Sequence, residues 1–163
     1  MGDAINTWIH VLAAAIFIGP QIFLFVAAVP AMRTIADAQE RQRVTRMVTT
    51  RFGWLGGAAL VALLITGIIN YYDAKDHGLL DIDRYLVILQ VKLTLVALVI
   101  VLTGLHGGLV GRRLLKLQES GASEDEIART RVWSVALSAA NLLASLAILL
   151  CAALLDSDWS KMS

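Results

Sequence analysis

The chain has 163 residues, of which 58% are hydrophobic and 17% charged, and its mean hydropathy of +0.71 excludes an ordinary soluble domain. With 14 Lys+Arg against 13 Asp+Glu the formal net charge is +1, so no basic excess exists to bind nucleic acid. The single cysteine, Cys151, excludes an intramolecular disulfide and any multi-cysteine zinc or iron–sulfur site within one chain.

The first apolar stretch, residues 5–29, spans about 37 Å as a helix, enough to cross a hydrocarbon core of about 30 Å with some tilt. It reads as a mature helix rather than a cleaved leader, because Asp3 is the only charge before His10 and no positive segment precedes it. Three further apolar stretches follow at residues 53–72, 85–110 and 132–155, each bounded by charged or turn residues. Together they predict an all-α integral membrane protein, a four-helix antiparallel bundle forming a single transmembrane domain over residues 1–163.

Charge sets the expected orientation. Connection 31–52 carries Arg33, Arg41, Arg43, Arg46 and Arg51, and connection 111–131 carries Arg112, Arg113, Lys116, Arg129 and Arg131. The positive-inside rule makes both cytoplasmic and turns both termini outward, as in a bacterial inner-membrane protein. Trp8, Tyr71, Tyr72, Tyr85 and Trp159 then mark the outer interface, and Trp54 and Trp133 the inner one.

Both connections hold local signals. The third helix is predicted to continue through Leu114 to Gln118 and to end at Gly121, a residue suited to a left-handed cap. A new helix starts at Ser123, whose hydroxyl accepts a backbone N–H while Glu126 reaches back in a capping box. Gly53 with Gly57, Gly104 with Gly108, and Gly107 with Gly111 form small-xxx-small pairs that permit close helix approach, and the glycine-rich third helix is the expected contact with a second copy in a homodimer. Ser134, Ser138, Asn141 and Ser145 line one face of the fourth helix, a pattern expected to hydrogen-bond to a neighbouring helix.

Three ionisable side chains fall within the spans: His10, Lys92 and His106. Such groups are costly to bury unpaired and are candidate functional residues for that reason. His10 lies about 6 Å below Asn6 and Lys92 about 10 Å below Tyr85, both in the outer leaflet, whereas His106 is about 31 Å below Tyr85. That depth separates the two histidines too far for them to ligate one haem iron together. Asn70 joins His10 and Lys92 in one outer polar cluster if the first three helices are neighbours.

Each of these residues also has an ordinary structural explanation. His10 suits an interfacial hydrogen bond, Lys92 can snorkel to the outer surface or pair with an acidic group of a ligand, and His106 suits the inner interface. His77 is expected to be exposed in the acidic outer loop. Cys151 is either core packing or a thiolate ligand for copper, while Met32 and Met47 lie on the inner side and form no ladder of sulfur ligands with it.

The run Trp8-Ile9-His10-Val11-Leu12-Ala13-Ala14-Ala15 through Gly19 to Pro30 resembles the first helix of the CopD-like membrane-protein superfamily. Arg51-Phe52 with Thr66-Gly67-Ile68-Ile69-Asn70 resembles its second helix, and Leu89 to Leu93 around Lys92 its third. The superfamily includes HemJ-type protoporphyrinogen oxidases, in which an early-helix histidine and a third-helix lysine serve haem b. The resemblance assigns these roles to His10 and Lys92. Thr103-Gly104-Leu105-His106-Gly107 is also similar to the later histidine segment of that type, while its aromatic-Ala-Gly stretch and Leu-Pro-Arg are not reproduced around residues 17–22.

The resemblance implies a haem b-binding membrane protein with an electron-transfer or oxidoreductase role toward a quinol or porphyrin. Its cofactor-binding residues would be His10, Lys92, Asn70 and His106, with His10 and His106 as metal ligands. The alternative it carries is copper handling or transport through His10 with Cys151 or an interfacial methionine. A third reading is a non-catalytic helical subunit packed in a larger complex, in contact with membrane lipids.

Overall fold

The computed structural model describes residues 2–120 and 122–162. It is helical, with no strand among the described residues, and holds four helices long and apolar enough to cross a membrane. Only in a helix does a lone chain segment pair every backbone N–H and C=O within itself, which the hydrocarbon requires. The chain divides into two compact units, Met1–Gly78 and Leu79–Ser163.

Unit one is a helical hairpin of α1 (Gly2–Arg33) and α2 (Ala38–Asp76). The connection, residues 34–37, is so short that the helices pack antiparallel. Pro20 lies inside α1, and one turn, Leu24–Ala28, widens to π geometry with the Val29 N–H returning to the Leu24 carbonyl. The widened turn leads directly into Pro30, whose ring has no N–H and crowds the preceding turn of a regular helix.

α2 runs for 39 residues, about 58 Å and nearly twice the hydrocarbon thickness. It starts at Asp37, whose carboxylate accepts from the Gln39 N–H at 3.0 Å. The sequence signal for this start is Asp37 with Glu40 three residues on. Most of connection 31–52 is therefore helix. Arg41 donates to the Ile35 carbonyl at 3.0 Å and Thr45 to Met32 Sδ at 3.3 Å, closing the hairpin at this end. Phe23 and Phe52 face each other across it with ring centroids 6.1 Å apart. α2 ends where Gly78 takes a φ of 69°, a left-handed turn that a side chain would resist.

His77 stands exposed at that end, as expected. Its Nδ1 lies 2.8 Å from the Asp73 carbonyl and 3.4 Å from the Asp73 carboxylate. The carbonyl bond first, and the carboxylate second, raise its pKa above the ordinary imidazole value. A raised folded-state value means that protonation stabilises the end of α2 below about pH 6.5, and that this contribution fades as pH rises through the folded value. An NMR titration should place His77 above a free imidazole, and Asp73→Asn should bring it part of the way back because the carbonyl bond survives.

Unit two opens with a 3₁₀ turn, Leu79–Asp81, followed by α3, whose apolar span is Asp83–Leu114, and α4, Glu124–Asp156. A short α5, Asp158–Lys161, closes it. The helical path of α3 continues through Gly111–Glu119, as the sequence predicts, and contains a π segment at Leu105–Val110. The cap expected at Gly121 lies outside the described residues. Ser123 caps α4 by accepting from the Glu126 N–H at 3.4 Å. The Glu126 carboxylate pairs with Arg113 at 3.5 Å instead of reaching back to the cap, because the antiparallel path of α3 brings a guanidinium within range. At the opposite end of the hairpin the Arg84 guanidinium lies 5.4 Å from the Trp159 ring centroid, holding α5 against the start of α3.

Large apolar side chains stand on the outer faces of both units: Val26 is 74% exposed, Trp54 80%, Leu109 64% and Leu143 67%. Apolar surface of this extent, on helices of spanning length, is surface for lipid.

Candidate functional site

Unit one brings four polar side chains together in its membrane-spanning part. Asn6 and His10 are four positions apart on α1, and Thr66 and Asn70 are four apart on α2, so each pair shares one helix face. Antiparallel packing sets the two faces against one another. The Asn6 side-chain amide donates to Asn70 Oδ1 and, at 3.4 Å, to the Thr66 carbonyl. His10 Nδ1 lies 2.7 Å from Thr66 Oγ1. Thr66 is only 5% exposed, and the other three are half-buried.

The Thr66 hydroxyl also donates to the Ala62 carbonyl 2.7 Å away, so Thr66 joins the imidazole to the backbone of α2. A hydrogen bond at one ring nitrogen fixes the plane of an imidazole, as it does for metal-ligating histidines. A Cβ built on Gly67 would stand 3.7 Å from His10 Cε1, so the ring lies against the glycine and a side chain larger than methyl would crowd it.

Asn70→Leu tests the clasp beside the histidine. It removes the Asn6 acceptor, and hydrogen bonds between membrane helices contribute about 0.6 kcal/mol on average and at most about 1.7. Unfolding in mixed micelles should show a loss within that range, with the Thr66 carbonyl still available to Asn6.

Unit two holds the remaining candidates. The serine stripe of α4 does bond to α3: Thr103 donates to Asn141 Oδ1 at 3.3 Å, and Ser138 Oγ lies 3.4 Å from His106 Nδ1. His106 sits inside the π segment and is half-buried. At 3.4 Å the Ser138 bond is close to the outer limit for a hydrogen bond, whereas 2.7 Å at His10 is short. Of the two histidines, His10 has the better-defined orientation. Lys92 is half-buried on the same helix as His106, and Cys151 is buried on α4.

The structure thus joins His10 and Asn70 through two residues that sequence reasoning did not assign to the site, Asn6 and Thr66. It places Lys92 and His106 in the other unit, each against α4. No group of three or more His, Cys, Asp or Glu that could hold a metal ion occurs among the described residues. Among the described residues, the sulfur atom nearest His10 along α1 belongs to Met32, about 33 Å away by helical rise, and it is bonded by Thr45.

Residues 46–155 match the family model CopD, described as copper resistance protein D. The match contains Thr66, Asn70, Lys92, His106 and Cys151 and begins beyond Asn6 and His10. No curated protein and no solved structure matches the chain.

Proposed function

Because this chain belongs to the CopD family, we propose that it is a copper-handling integral membrane protein for which the ion is cargo, with His10 as the ligand that receives it in unit one. The observation that carries this reading is the 2.7 Å hydrogen bond between His10 Nδ1 and Thr66 Oγ1, which fixes the orientation of the imidazole in the spanning part of unit one. Around it stand amide and hydroxyl groups, which are weak ligands for copper beside an imidazole. One strong and several weak donors suit an ion that is passed on rather than one that is retained.

The arginine-rich connections belong in the cytoplasm by the positive-inside rule, which puts His10 in the outer leaflet of a bacterial inner membrane. From there copper would arrive from outside. For haem b, unit one supplies a single axial imidazole. The side chains clustered with it, Asn6, Thr66 and Asn70, are polar, unlike the flat apolar walls against which a tetrapyrrole packs, so the cluster fits an ion better than a haem.

The test is full-length protein reconstituted in vesicles containing a copper-sensitive dye, with copper added outside and the optical spectrum of the same preparation recorded. Dye response above that of empty vesicles, lost in His10→Ala, is the expected result. A Soret band that disappears in His10→Ala would replace this reading with haem b binding. A colourless protein that neither binds nor passes copper would leave a helical packing subunit.

A further inference from the structure

The arginine end of α2 carries a second feature, independent of His10. The hydrocarbon accommodates about 20 helical residues, and the apolar part of α2 is its C-terminal portion, so the N-terminal portion stands in and beyond the headgroup layer. That layer is about 5–8 Å deep on each side. By helical rise Arg51 lies about 3 Å, Thr50 about 5 Å and Arg46 about 10 Å above Gly53. Helical side chains lean toward the N-terminus, which lifts the Arg51 guanidinium from the hydrocarbon edge toward Thr50 and Arg46.

Arg43, Arg46, Met47, Thr50 and Arg51 line one surface depression, and Thr49, Thr50, Gly53, Trp54 and Gly57 line the next along the same stripe. At 100° per residue Arg46 and Arg51 are about 140° apart and flank Thr50. Neither forms an ion pair among the described residues, and the Arg43 pair with Glu40, at 3.8 Å on an exposed surface, is weak. No acidic residue occurs between Glu40 and Asp73, so nothing along this helix competes for an anion. Below the arginines, Gly53 and Gly57 leave open space where a Cβ would stand, beside Trp54 at 80% exposure.

The geometry points to an anionic phospholipid as the occupant of this stripe. Its phosphodiester lies between Arg46 and Arg51 with Thr50 donating, and an acyl chain follows the trough over Gly53 and Gly57 alongside Trp54. Guanidinium groups are permanently charged and pair with phosphate through two parallel hydrogen bonds, which favours them over a simple counter-ion cloud. Basic pockets at the cytoplasmic ends of membrane helices hold acidic headgroups by the same chemistry.

Native mass spectrometry of the full chain in neutral detergent, titrated with phosphatidylglycerol or phosphatidylcholine, tests the site. Retention of phosphatidylglycerol at roughly thirty-fold lower lipid concentration is expected, since two basic groups at a membrane surface supply about that preference. Arg46→Gln with Arg51→Gln should remove the preference, whereas Arg129→Gln with Arg131→Gln should keep it. Gly57→Leu should lower phosphatidylglycerol retention by filling the trough with every charge in place, which keeps the test decisive if the double variant folds poorly. Equal retention of the two lipids, or a preference that persists in Arg46→Gln with Arg51→Gln, overturns the proposal. So does complete displacement by millimolar inorganic phosphate, which would mark a headgroup-only anion site, or a change in dimer content with lipid retention unaltered, which would mark a contact between copies.

Discussion

His10→Ala is expected to weaken copper binding by more than about 100-fold while leaving helix content and unfolding of the protein nearly unchanged. Losing a group that merely orients a ligand costs about 10- to 100-fold in metal affinity, so losing the ligand itself should exceed that. The structural consequence is small for an identifiable reason. The Thr66 hydroxyl keeps the Ala62 carbonyl as its partner when the imidazole is deleted. Asn6 keeps both of its acceptors, Asn70 and the Thr66 carbonyl. Competition against a chromophoric copper chelator in micelles measures the first effect, and circular dichroism the second. Unaltered affinity in His10→Ala would remove His10 from the function.

Thr66→Val is expected to reduce the same affinity by about 10- to 100-fold with His10 intact. Valine preserves the shape and branching of threonine but has no hydrogen-bonding group for Nδ1, so the ring loses the contact that fixes its orientation. Thr66→Ser keeps the hydroxyl and should restore most of the binding. Serine and valine variants that bind alike would show that the hydroxyl has no orienting role, whatever His10 itself contributes.

The relation between these two residues shows how much of the site could be read without coordinates. His10 drew notice as an ionisable group in an apolar run, a signal that needs only the energetics of burial. Thr66 gives no such signal, since a threonine in a membrane helix commonly bonds back to its own preceding turn, as this one does to Ala62. Even so, a pattern was present. Asn6 and His10, like Thr66 and Asn70, stand at a spacing of four, and two polar pairs of equal spacing on consecutive spans are candidates to face each other.

Helix ends divide the same way. Ser123 as a cap is legible because its partner is a backbone N–H three residues on, whereas the destination of the Glu126 carboxylate depends on where Arg113 arrives. Asp37 with Glu40 was equally legible and marks a start for α2 well before its apolar part. The π segments at Leu24–Ala28 and Leu105–Val110 are less so. A proline follows one of them, but the other has only a glycine-rich stretch to indicate it.

Apolar run lengths and the demand that lipid places on backbone hydrogen bonds were enough to specify four spanning helices, whereas the shortening of connection 31–52 to residues 34–37 was decided by the structure. Run length and backbone pairing are local properties, decided within one turn or one span. The pairing of His10 with Thr66 and of Asn6 with Asn70 joins positions 56 and 64 residues apart and depends on how far each helix is rotated and slid against its partner. Rotation and slide are settled by side-chain packing along the whole contact, and no short stretch of sequence contains that information.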